Sequence, residues 1–173
     1  MMAQWFECKV KYDKIDELSG KEKSVTEPYL VDALSFTEAE VRITRQAEQF
    51  VSGEFALTNI NRTKIEEIHP YEADGYWFKC KIVFLDIDEN SGKEKKSIAE
   101  MLVNAENMIQ ACERLAEQLK SVIVPYRITS MLETKIVDVF PYFENEEENI
   151  SKESNKADTI IDESLVEATS DVF

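Results

Sequence analysis

The chain has 173 residues, 43% of them apolar, and a formal charge of −15, which suits one ordinary domain or two small halves sharing a core. No apolar run approaches the roughly 20 residues of a membrane helix, and the opening MMAQWFECKV has no basic segment followed by an apolar one. Neither a membrane span nor a signal peptide is expected, so a cytoplasmic location is.

Cys8, Cys80 and Cys112 form no C-x-x-C pair and His69 is the one histidine, which speaks against a disulfide framework, a zinc site and a His-rich centre. The cysteines read as small buried apolar residues, and no metal or cofactor is expected. Charge is unevenly placed. Residues 143–173 hold ten acids and two lysines, so they carry −8 and the other 142 residues −7. An acidic body has no sequence-wide basic footprint, so any nucleic-acid site must be a local patch.

Along the chain, WFECKVKYDKIDELSGKEK at 5–23 returns as WFKCKIVFLDIDENSGKEK at 77–95. Residues 5–50 and 77–122 align at an offset of 72 with 18 identities in 46 positions, and TKIEEIHPY (63–71) returns as TKIVDVFPY (134–142) one residue earlier in register. This is an internal duplication, with a period too long for the usual solenoid units.

In the first copy Phe6, Cys8, Val10 and Tyr12 alternate with Glu7, Lys9, Lys11 and Asp13, which predicts a half-buried strand. Ser19-Gly20 predicts a turn, and a second strand follows over about 24–33. Ser35 and Glu38 are spaced as a capping box and open a helix of about 36–50. A long strand is expected at about 54–69. The second copy repeats this with a first strand in WFKCKIVF, a second near 96–103, a helix near 106–121 and a long strand at about 126–140.

The expected fold is α+β. Repeats 1–71 and 72–142, each β-β-α-β, form one pseudo-symmetric domain of antiparallel sheet with both helices on one face. The other face is expected to be free for function. Residues 143–173 lack a sustained period and are dense in Glu, Ser, Asn and Asp, which predicts a disordered acidic tail.

No catalytic motif is present: there is no G-x-S-x-G, no phosphate loop and no H-E-x-x-H. The DIDEN run at 86–90 resembles the start of a calcium loop but lacks its glycine at the sixth position and its glutamate at the twelfth. His69 aligns with Phe140, so packing explains it better than acid–base chemistry. A non-enzyme is expected.

If Phe6, Cys8 and Val10 face inward, then Trp5, Lys9 and Lys11 face outward, and Trp77, Lys79 and Lys81 do the same in the second copy. Lys21, Lys23, Lys93 and Lys95 belong to the hairpins, and Lys64 and Lys135 occupy matched positions further on. Aromatic rings interleaved with lysines on a sheet suit sequence-independent binding of single strands, with bases stacked on the rings and phosphates on the ammonium groups. The competing reading places both tryptophans in the core and the lysines on a solvated face.

The acidic tail ending SDVF resembles that of single-stranded DNA-binding proteins, which recruit replication partners through a terminal Phe. That resemblance assigns partner binding to Asp171, Val172 and Phe173. The body, through WFECKVKYDK, SGKEK, YLVDALSFTEAE and ETKIVDVFPY, resembles an uncharacterised family of small proteins of gut bacteria and their phages over about residues 4–142. The duplicated unit is also similar to the PUR and Whirly single-strand binders, although those place four strands before each helix and here a strand follows it. The functional expectation is a single-stranded DNA-binding protein of replication or recombination, with homo-oligomerisation left open. The alternative is an acidic adaptor or inhibitor whose negative surface mimics DNA.

Overall fold

The computed structural model describes residues 4–71 and 75–142. The tail at 143–173, and with it Asp171, Val172 and Phe173, lies outside the described residues.

Strands β1 (Gln4–Ile15) and β2 (Glu22–Ala33) form an antiparallel hairpin in continuous register from Gln4 opposite Ala33 to Ile15 opposite Glu22. Strands β5 (Tyr76–Ile87) and β6 (Glu94–Ala105) repeat it. The recurring SGKEK is turn chemistry. Gly20 and Gly92 both sit at φ +67°, a left-handed conformation that glycine adopts without steric cost. The Gly20 and Gly92 N–H groups donate to the carbonyls of Asp16 and Asp88 at 2.7 and 2.8 Å. The second of these aspartates belongs to DIDEN, whose Asp86 and Ile87 end β5 and whose Asp88, Glu89 and Asn90 lead into the hairpin turn.

Helix α1 (Phe36–Phe50) starts where the capping box predicts: the Glu38 N–H donates to Ser35 Oγ at 3.1 Å, and the Glu38 carboxylate accepts from the Leu34 N–H at 3.2 Å. In α2 (Met108–Gln118) Asn107 and Gln110 play these parts, with the Gln110 N–H on Asn107 Oδ1 and the Glu106 N–H on Gln110 Oε1. The second helix is shorter than its periodicity predicts and closes at Leu119.

The expected long third strands are each two strands. In the first copy β3 (Phe55–Arg62) pairs with β1, and β4 (Ile65–His69) leaves for the other sheet. In the second copy β7 (Tyr126–Glu133) pairs with β5, and β8 (Asp138–Phe140) again crosses over. The sheets have the orders β3-β1-β2-β8 and β4-β6-β5-β7. Each sheet therefore takes its fourth strand from the other repeat. The β4–β6 pair is parallel, whereas β1 and β5 pair antiparallel with their neighbours on both sides.

Each helix buries its apolar stripe on one face of its own sheet, Ala39, Ile43 and Ala47 from α1 and Ala111 and Leu115 from α2. Under α2 these meet Phe78, Cys80 and Ile82. The opposite faces do not stand free along their whole length. Leu30, Ile65, Trp77, Leu102 and Ile136 form a central cluster between the sheets, with Trp5, Ile68 and Val139 packed on it. Burial of this kind stabilises by about 25 cal/mol per Å² of apolar surface, and it holds the two repeats as one body.

Candidate nucleic-acid interface

The start of β1, the β3–β4 crossing and the middle of β5 and β6 enclose a cleft of 860 Å³. Gln4, Trp5, Thr63, Lys64, Ile65 and Glu66 line it from one side, and Lys81, Ile98 and Glu100 from the other. A local hydrogen-bond clamp positions the first wall. The Trp5 carbonyl accepts both the N–H and the hydroxyl of Thr63, at 2.9 and 2.8 Å, and the Thr63 hydroxyl oxygen in turn accepts from the Ile65 N–H at 3.3 Å. This turns the chain out of β3 and sets Lys64 beside Trp5. On the second wall Lys81 lies directly opposite Glu100, with Nζ 3.9 Å from Oε1.

Three of the residues expected to contact nucleic acid, Trp5, Lys64 and Lys81, therefore share one cleft. The others are dispersed. Lys9 and Lys79 are half-buried and lie opposite Pro28 and Leu102, whereas Lys11 is exposed. Lys21 and Lys93 stand exposed in the hairpin turns, and Lys23 and Lys95 are exposed where β2 and β6 begin. Lys135 is exposed at the position matching Lys64.

The expectation of two equivalent exposed tryptophans needs correcting for Trp77. Its side chain is 8% exposed and belongs to the central cluster, so its ring offers no face for a base. The alternation correctly placed it opposite Phe78, but the packing of the sheets covers that face. Trp5 at the matching position is only half-buried, and the pseudo-symmetry is broken there.

Sequence reasoning also missed a polar cluster within the first repeat. Tyr12 and Tyr29 both donate to the same Glu27 carboxylate oxygen, at 2.7 and 2.9 Å. Burial first, and the Glu27 carboxylate second, push the Tyr12 phenol up to about 12 and raise that of Tyr29 as well. The second repeat has Phe84, Ala99 and Met101 at the matching positions, so this cluster is private to the first. Among the cysteines, burial pushes Cys8 up to about 12 and Cys80 up to about 11, with Cys112 adding to the effect on Cys80. His69 is largely buried, with Nε2 3.4 Å from the Glu67 carboxylate, a placement in keeping with packing.

Among the described residues no three His, Cys, Asp or Glu side chains gather as a metal site, and no helix is long and apolar enough to cross a membrane. Comparison with the curated proteins and with the solved structures gave no match. Over residues 4–142, which include both repeats and the cleft, the chain belongs to the family described as a domain of unknown function, DUF4494.

Proposed function

We propose that this protein binds single-stranded DNA without sequence preference, in replication or recombination, within the cytoplasm of a gut bacterium or of a cell carrying its phage. The observation that supports this reading is the convergence of Trp5, Lys64 and Lys81 on one cleft. A base stacking on the Trp5 indole gains about 1–3 kcal/mol, while the two ammonium groups hold the flanking phosphates. In this reading the acidic tail, through Asp171, Val172 and Phe173, recruits partner proteins. No catalytic step is assigned.

A second reading, an acidic protein-binding adaptor, draws on the same cleft. Glu66 and Glu100 also line it, and Glu100 pairs with Lys81, so a basic partner segment would find carboxylates there.

Fluorescence anisotropy with labelled single strands at low and moderate salt separates the two. Under the nucleic-acid reading Trp5→Ala weakens binding by about 5- to 150-fold, the range that loss of one stacked base implies. Lys64→Ala and Lys81→Ala each reduce the slope of log affinity against log salt by about 0.7. A parent protein that binds no strand, or a folded Trp5→Ala variant that binds as the parent does, removes this reading and leaves the adaptor.

A further inference from the structure

Beneath α2 the second repeat gathers sulfur. On adjacent strands Cys80 lies directly opposite Met101 of β6 and directly opposite Met131 of β7. Directly opposed residues put their side chains on the same face of a sheet, and here that face is the one covered by α2, since Cys80 and Met101 share the cluster with Ala111 and Leu115. Met131 packs against this cluster. From the helix, Cys112 brings its Sγ to 3.4 Å from the Met131 Sδ.

The first repeat supplies an internal control. The matching row there is Tyr29–Cys8–Ile60, and α1 carries Glu40 where α2 carries Cys112. The same fold thus fills the same row with one sulfur residue in the first repeat and with four in the second, so packing alone does not require the extra three. Thiolate and thioether ligands select Cu(I), zinc and iron–sulfur clusters, and a set that is half neutral thioether suits a soft monovalent ion such as Cu(I). The row also has an entry path, because Cys112 is exposed while Cys80 is fully buried.

We propose that Cys80, Cys112 and Met131, backed by Met101, form a binding site for a soft monovalent metal ion of the Cu(I) or Ag(I) class. Each thiol that ligates the ion releases its proton to solvent, and no electron is transferred. This site lies on the α2 side of the second sheet and does not depend on the nucleic-acid reading.

The test is a Cu(I) titration of the reduced full chain under anaerobic conditions, in competition with a chromophoric Cu(I) chelator. The expected result is one Cu(I) drawn from the chelator per chain. Cys112→Ser and Met131→Leu should each weaken binding at least tenfold, while Met108→Leu, an exposed thioether elsewhere on α2, binds as the parent. The first alters an exposed position and the second conserves volume, so both keep the core. A parent that leaves Cu(I) on the chelator, or a Met131→Leu variant that binds as tightly as the parent, overturns the proposal.

Discussion

Thr134 donates both its backbone N–H and its hydroxyl to the carbonyl oxygen of Trp77, at 2.8 and 2.7 Å. Thr63 makes the same two bonds to Trp5. Each threonine closes one repeat's third strand and releases the chain toward the other repeat's sheet. Thr134→Ala should lower the free energy of unfolding by about 1 kcal/mol, the usual net worth of one hydrogen bond. Thr134→Ser, which keeps the hydroxyl, should recover most of that. Urea unfolding midpoints of the three proteins check it.

The two tryptophans should differ in what they hold up. Trp77→Ala opens a void in the central cluster and should destabilise by about 3–5 kcal/mol, the range for loss of a large buried aromatic. Trp5→Ala, at a half-buried position on the cleft, should cost clearly less. Equal losses in urea denaturation would show that both rings carry the same structural role.

Stability should fall in strong alkali because of the Glu27 cluster. The folded state raises the Tyr12 phenol from 10 to about 12, so it favours the protonated form. That contribution is complete below about pH 10, where the phenol is protonated in both states, and is lost as pH rises through about 12. Glu27→Gln removes the carboxylate that both phenols bond and should make the alkaline loss shallower. Unfolding midpoints at about pH 8, 10 and 11.5 measure it.

Thiol reactivity should divide the cysteines. Cys8 and Cys80 are buried, with pKa values pushed up to about 12 and about 11, and the thiolate is the reactive form. Cys112 is exposed. A disulfide reagent near pH 8 should titrate one thiol per native chain and all three after denaturation, and Cys112→Ser should abolish the native reaction. Two fast-reacting thiols in the native parent would contradict the burial of the strand cysteines.

Much of the scaffold was legible because it is local. Alternation marked Phe6, Cys8 and Val10 as one face of β1, and all three are buried. Ser35 and Glu38 marked the start of α1, and the capping bonds are present. The crossings at Thr63 and Thr134 were not legible, since NRTKIEEIH is as strand-like after the threonine as before it. Only the distant Trp5 and Trp77 carbonyls fix where the strands end. The cleft was half visible for the same reason. Alternation singled out Trp5 and Lys81, and the match between repeats Lys64, but the sheet–sheet packing that buries Trp77 and brings Glu100 and Ile98 in depends on contacts between repeats.

The exchange of fourth strands also orders events during synthesis. β4 is made before the sheet it joins, whereas β8, the last of the described strands to be made, belongs beside β2. A ribosome-bound chain that has finished its first repeat therefore holds β2 as an open sheet edge, the kind of edge that templates pairing with other chains. It stays open until Asp138–Phe140 has emerged. Neighbouring nascent chains on one message would meet at that edge, so truncation before Asp138 should yield insoluble protein rather than a smaller folded one.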